Sequence, residues 1–451
     1  MRISAYLAKY PLLFMVFTLL IGGGCSKSSF IADEESLVAY HEQKTNAKGF
    51  SSAKEEMYVY IDYSDGMYTA INKCFDFFET VLTILDRNSS TFFRVGKGDF
   101  SKIDGDIFDV SNPYNPRKKE NFAETHSNLD GAVDEIINHS QTQSIFITDF
   151  ELVKDNSGKL PVGDDDNESA IDFSPWAVKP FESWLKEGNS IDVFAKSFDR
   201  STPRGVQTQY LYFIIFTPKA LLGLNTKQSI LTRMEEEGFM NQGESNIKWM
   251  GFGKGKQELT PAYKEEELEQ GGLHIDLSPY DYFDRSEKKY EFYQISMEEV
   301  QKVPRVSDAK ANLIGELLFH NTYSNFTDVS LEVKCEDITD EFIAYTEGYE
   351  GENAENAPDI FSLHRKDDKV GLRMNPNFLG LSRAASLYRV DLYLTDAKLV
   401  LDEVMMDSIL KWTDDRGFDV SSLKESIREG MKRQEIEEQL LYTYYIELLN
   451  Q

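Results

Sequence analysis

The sequence predicts a two-part fold, an α/β domain followed by an antiparallel β domain, closed by a C-terminal helix. Three observations carry this expectation. Between Met57 and Phe216, short apolar runs alternate with stretches of helical period, as in a mostly parallel sheet with crossover helices. From about His274 the texture changes to short alternating stretches separated by turn residues, as in an antiparallel sandwich. From Ser422 the helical spacing returns.

The elements follow in order. Met57–Asp62 is an apolar strand, and Ile71, Cys74, Phe75, Phe78, Leu82 and Leu85 then recur at helical spacing. A strand at Thr91–Val95, a helix over about 128–138 and the strand Ser144–Thr148 come next. A helix over about 175–187 has Ser174 as N-cap and Pro175 in its first turn. Strands Ile191–Ala195 and Tyr210–Phe216 complete the α/β domain, set at residues 55–235. Residues 236–272 are charged and glycine-rich and are expected to form a linker or long loop. Gly251-Phe-Gly-Lys-Gly-Lys256 within them lacks the spacing of a phosphate loop and the Ser or Thr that follows its lysine.

The β-sandwich is expected over residues 273–400, with strands at Tyr290–Ile295, Leu313–His320, Val329–Val333, Phe342–Thr346, Val370–Met374 and Tyr388–Leu394. In the closing segment, 401–451, Ser422 and Glu425 have capping-box spacing. Leu423, Ile427, Met431, Ile436, Leu440, Tyr444 and Leu448 form a stripe expected to pack on the sandwich.

Residues 1–24 carry Arg2 and Lys9, then an apolar run ending at Ile21, then three glycines, which reads as a signal peptide. The small residues before Cys25 resemble the lipobox of bacterial lipoproteins, although Gly22 stands where Leu, Val or Ile is usual. The resemblance implies lipidation of Cys25 and attachment to a membrane, and Ser26 after it implies the bacterial outer membrane. Residues 25–54 are polar and read as a tether.

Removal of Arg2 and Lys9 takes the net charge from −29 to −31, a surface that disfavours nucleic acid as a partner. Cys74 and Cys335 are far apart and read as small buried residues, so no disulfide framework is expected. With 41% apolar and 13% aromatic residues, the chain can build proper cores.

The strand Met57–Asp62 stops at Asp62-Tyr63-Ser64-Asp65-Gly66-Met67. In an open α/β sheet, the loops at the carboxyl ends of the strands are where ligands bind. Asp62, Ser64 and Asp65 are therefore the leading candidates. This run resembles the Asp-x-Ser-x-Ser motif that opens von Willebrand factor A domains. Thr125-His126-Ser127-Asn128-Leu129 resembles the family's second, threonine-bearing loop, and Thr148-Asp149-Phe150 its third, often Thr-Asp-Gly.

The resemblance covers about residues 56–220. It implies a doubly wound, mostly parallel sheet and a metal-ion-dependent adhesion site of Asp62, Ser64, Thr125 or Ser127, and Asp149, holding Mg²⁺, Mn²⁺ or Ca²⁺. Hard oxygen donors suit those ions rather than zinc. A protein partner at the cell envelope would complete the coordination. Gly66 replaces the motif's second serine and Phe150 its glycine.

Two other readings use the same residues. Asp62-x-Ser64-x-Gly66 resembles a hydrolase nucleophile elbow with its first glycine replaced, which would make Ser64 a nucleophile with Asp149 and a histidine behind it. Alternatively Asp62, Ser64 and Asp65 end a strand and cap a helix, leaving a purely structural domain. The acidic run Asp164–Glu168 reads as a solvated loop.

Overall fold

The computed structural model describes residues 32–46, 57–86, 90–96, 100–124, 127–150, 178–202, 205–222, 230–240, 246–261, 290–297, 313–321, 323, 326–349, 353–358, 360–367, 369–375, 378, 381–410 and 420–450. The signal segment, Cys25, Thr125, His126, Ser174, Pro175 and the acidic run Asp164–Glu168 lie outside them.

The fold is mixed α/β. Strands β1 (Met57–Asp62), β2 (Ser90–Val95), β3 (Phe100–Lys102), β4 (Gln143–Thr148), β5 (Ser190–Thr202), β6 (Gly205–Thr217) and β7 (Ile247–Phe252) form one sheet, in the order β3-β2-β1-β4-β6-β5-β7. β1 runs parallel to both its neighbours, β2 and β4. Alternate β1 side chains enter opposite cores, Tyr60 on one face and Val59 and Ile61 on the other. Helices α2 (Asp65–Lys73), α3 (Phe75–Asp86) and α7 (Ile230–Glu236), which follows the one-turn α6 (Lys219–Leu222), cover the Val59 face. Helices α4 (Leu129–Asn138) and α5 (Val178–Lys186) cover the Tyr60 face.

Two features of this sheet depart from expectation. β5 and β6 are a long antiparallel hairpin, and β6 lies antiparallel between β4 and β5, so Ile191–Ala195 and Tyr210–Phe216 are not successive crossover strands. The single helix expected through Leu85 is also broken at Cys74, which shifts the buried stripe so that Phe75 is 48% exposed while Phe77 is buried.

The supposed linker is structured where it is described. β7 is the edge strand of the first sheet, and β8 (Gln257–Pro261) belongs to a second sheet with β10 (Leu313–Asn321), β13 (Phe361–Lys366) and β14 (Lys369–Met374). β9 (Tyr290–Ser296), β11 (Phe326–Asp337), β12 (Glu355–Asn356), β15 (Ala385–Leu399) and β16 (Gln439–Leu449) form a third sheet. Leu317, Phe361, Val370 and Leu372 of the second sheet share one core with Val390, Leu392, Tyr444 and Leu448 of the third. All pairings in these two sheets are antiparallel except β9 with β16.

Four further expectations are corrected. Phe342–Thr346 lies in a helix, α8 (Thr339–Glu347), not a strand. The closing helical segment is two helices, α9 (Glu403–Ile409) and α10 (Val420–Lys432), followed by β16. Leu423, Ile427 and Met431 pack against α5 on the first sheet, not on the sandwich, whereas Tyr444 and Leu448 belong to β16 in the sandwich core. Helix α1 (Glu34–Asn46) occupies part of the expected tether. Leu37 and Tyr40 bury their side chains against Phe342, Leu387 and Tyr445, and the Tyr40 hydroxyl donates to Glu341 at 2.9 Å.

Among the described residues, no helix is long and apolar enough to cross a membrane. Cys74 and Cys335 are both free and buried, and burial pushes each thiol up to about 12.

Candidate functional site

The parallel strands β1, β2 and β4 end side by side, with Asp62 opposite Val95 and Ile61 opposite Ile147. The loops that leave them converge at this carboxyl edge. Asn128 caps α4 by accepting from the Gly131 N–H at 3.1 Å, while its own N–H donates to the Gly96 carbonyl at 2.8 Å. That bond brings Ser127 over the end of β2.

Asp62 is the centre of the arrangement. Its Oδ1 accepts from the Ser64 N–H at 2.8 Å and from the Ser127 hydroxyl at 2.6 Å, and its Oδ2 accepts from the Thr148 hydroxyl at 2.9 Å. The carboxylate is fully buried. Burial raises its pKa, opposed by hydrogen bonding from Ser127, from the Ser64 N–H and from Thr148. The Ser64 hydroxyl is buried and, although close enough to favour the charged carboxylate, has no hydrogen bond of proper geometry among the described residues.

Asp149 is buried one residue beyond the end of β4. Phe150 follows at φ 51°, in the left-handed region that costs a non-glycine residue about 1 kcal/mol. Its neighbours hold it there. Its N–H donates to the Thr148 hydroxyl at 3.0 Å, and its ring lies 5.1 Å from that of Tyr212. A backbone position that favours glycine is thus held here by an aromatic residue locked into the core.

The sequence-predicted residues therefore divide. Asp62, Ser64 and Ser127 come together, and Asp149 follows the threonine that bonds Asp62. Thr125 lies outside the described residues, and Asp65 is exposed in the first turn of α2, where its N–H donates to the Glu124 carbonyl at 2.8 Å. His139 lies beside Tyr58, toward the other end of β1, and is no base for Ser64.

Two contributors were missed at the sequence level. Thr148 serves both Asp62 and Phe150. The loop after β3 carries Asp106, Asp109, Asn112 and Asn115 at intervals of three, and each accepts from the N–H two residues on. This chain of turns braces the site, because the Tyr63 hydroxyl donates to the Tyr114 carbonyl. The period of Asp and Asn was legible in the sequence.

Among the described residues, no three His, Cys, Asp or Glu side chains gather as a metal-binding group. A cation here would instead rest on the Asp149 carboxylate together with hydroxyls that Asp62 orients. The donor chemistry fits a hard divalent ion, and the unpartnered Ser64 hydroxyl is the observation that favours one. No family model matches the chain, and no curated protein or solved structure matches it.

Proposed function

We propose that this protein is a lipid-anchored envelope protein whose first sheet is a von Willebrand factor A-like domain that binds a protein partner through a divalent cation. Cys25 would carry the lipid, and Ser26 after it favours the outer membrane. Ser64, Ser127, Asp149 and Thr125 would hold Mg²⁺, Mn²⁺ or Ca²⁺, with Asp62 orienting the hydroxyls around it. When bound, the cation supplies an electrophilic centre able to accept a carboxylate from the partner. The order β3-β2-β1-β4, with helices on both faces, supports the family reading. The insertion of β6 between β4 and β5 departs from a mostly parallel sheet.

One observation carries the metal reading, the buried Ser64 hydroxyl beside a buried carboxylate with no hydrogen-bond partner among the described residues. A buried hydroxyl left unbonded costs about 1 kcal/mol or more, so such a group calls for an explanation. The test is Mn²⁺ binding to the mature chain by electron paramagnetic resonance, with Ser64→Ala and Asp149→Asn alongside. The expected result is one bound ion in the parent, weakened at least tenfold in both variants while each stays folded. No binding by the parent, or binding indifferent to both changes, overturns the proposal. Labelling with a fluorophosphonate checks the hydrolase reading, since a metal-coordinating serine does not react.

A further inference from the structure

The glycine-rich turn Gly251–Lys256, which lacks the spacing of a phosphate loop, is occupied by an aromatic ring. Tyr323, in the connection between β10 and β11, is fully buried over Gly251 and Gly255. A Cβ on Gly251 would come within 2.1 Å of the Tyr323 ring, and one on Gly255 within 2.6 Å. Gly251 stands opposite Asp192 on β5, so the missing side chain leaves room for the ring to reach across the sheet. The Tyr323 hydroxyl donates to Asp192 Oδ2 at 2.7 Å, and Trp249 Nε1 donates to Asp192 Oδ1 at 3.1 Å. The Gly255 N–H donates to the Ser190 hydroxyl at 3.0 Å.

This cluster sits where the chain passes from one half of the protein to the other. β7 belongs to the first sheet and β8, five residues on, to the second. Tyr323 follows β10, the partner of β8, and Gln257 Nε2 donates to Asn321 Oδ1 at 3.3 Å. The tyrosine therefore ties the far end of this crossing back to the first sheet.

Among the described residues, no cation balances Asp192. On β5, Lys196 is separated from it by Phe194 and lies near Cys74. On β7, the Lys248 ammonium reaches the Ser408 carbonyl. In the turn, burial holds the Lys254 ammonium below its usual range, with Glu437 acting against it and Lys219 adding to it, and Lys256 pairs with Glu258. Opposite Asp192 on β6 is Ile215. Burial pushes the Asp192 carboxyl up to about 7, against the hydrogen bonds from Tyr323 and Trp249 that hold it down.

We propose that Tyr323, the Gly251–Gly255 turn and Asp192 form a proton-responsive latch between the two halves of the protein, closed while Asp192 is protonated and loosened when it ionises. In the opened state the carboxyl regains water and its ordinary value of 3.8. Closure is then strongest below about pH 4, weakens as the pH rises to about 7, and stays constant above it. The protonated carboxyl donates to the Tyr323 oxygen, and the tyrosine hydroxyl turns to Ser190, whose side chain is within reach. The latch acts independently of any cation at Asp62.

The test is hydrogen exchange on the full-length protein between pH 5 and pH 8, corrected for intrinsic rates, comparing amides of residues 251–257 with those of α4. The expected result is an opening equilibrium at the turn that rises about tenfold or more, with α4 unchanged. In Asp192→Asn, which mimics the protonated acid, the rise is expected to fall below about twofold. Tyr323→Phe keeps the ring but removes a donor to the carboxylate, so the titration midpoint read by Trp249 emission moves to higher pH. An unchanged pH profile in Asp192→Asn, no rise in the parent, or an equal rise in α4 overturns the proposal.

Discussion

Ser127 Oγ donates a 2.6 Å hydrogen bond to Asp62 Oδ1 across 65 residues of chain, joining the loop before α4 to the end of β1. Thr148 makes the matching bond to Oδ2 from the end of β4. One buried carboxylate therefore ties three strand ends together, whatever else the site does. Its effect on stability and its effect on binding can be separated by choosing substitutions that act on one and spare the other.

Asp62→Ala leaves the Ser127 and Thr148 hydroxyls and the Ser64 N–H without their acceptor. At about 1 kcal/mol for each stranded group, the expected loss is roughly 3 kcal/mol, reduced by the burial cost that the carboxylate no longer bears. Asp62→Asn keeps a carbonyl oxygen and is expected to lose roughly half as much. Urea denaturation of both variants checks the order. Equal losses would mean that the packing volume matters and the hydrogen bonds do not.

Ser64→Ala is expected to behave in the opposite way. The hydroxyl is buried without a hydrogen-bond partner among the described residues, so its removal relieves an unsatisfied group and stability is unchanged or rises by up to about 1 kcal/mol. A melting temperature measured without divalent ions and compared with the parent is sufficient. A clear fall would reveal a hydrogen bond that the structure does not contain.

The first sheet was legible because its central strands are short apolar runs whose flanking helices keep a three-and-four spacing. The hairpin was not. β6 is buried across the whole stretch from Tyr210 to Thr217, so it shows no alternation, and a strand buried on both faces reads the same in either direction. Thr202-Pro203-Arg204-Gly205 was the available turn signal. β16 failed for the same reason. Leu441–Leu449 is buried at every position, and a stripe at helical spacing can be drawn through any continuous apolar run. Its tyrosines and threonine were the evidence for a strand. At the site, Asp62, Ser64 and Asp149 could be read from local motifs, whereas the pairing of Ser127 and Thr148 with Asp62 depends on parallel register between distant strands. α1 was missed because Leu37 and Tyr40 make too narrow a stripe in a polar segment, and only the partners Phe342 and Tyr445 give it meaning.

That docking gives a prediction. Tyr40→Ala removes a fully buried ring that meets Phe342 and Tyr345 edge-on, both at 5.4 Å between centroids, along with the bond to Glu341. Truncation of a buried aromatic costs about 3 to 5 kcal/mol, more than an isolated 13-residue helix can withstand. α1 should therefore detach as a unit while the sandwich stays folded. Limited proteolysis within residues 34–46 would report it, and a fragment that stays protected would show that α1 has other anchors.

Gly251→Ala tests the seat of Tyr323. The added methyl would lie 2.1 Å from the ring, and the ring is held by Asp192 and by the neighbouring Gly255, so it cannot simply swing aside. Overpacking of this kind costs typically 1 to 3 kcal/mol, and here the upper end is expected. Combining it with Tyr323→Ala removes the clash, so the double variant should be less unstable than the sum of the two single changes. Additive losses by chemical denaturation would place the glycine's role elsewhere.

The return of the chain to the first sheet depends on a close helix pair. α10 lies against α5, with Ser426 Oγ accepting from the Glu182 N–H at 3.0 Å and Arg433 bridging to the Glu182 carboxylate. Gly430 sits at the contact, where a Cβ would meet Leu185 Cβ at 2.9 Å and the Glu182 backbone at 3.1 Å. Helix propensity alone would make Gly430→Ala stabilising by about 1 kcal/mol. The contact opposes this, because the atoms in the way are backbone and Cβ, which move only if the helices separate. Separation would also loosen Leu423, Ile427 and Met431 from the core that they share with Phe181 and Trp184. A net loss of about 1 to 2 kcal/mol is therefore expected. Guanidinium denaturation decides the sign, and a gain in stability would mean that the two helices pack less closely than the structure has them.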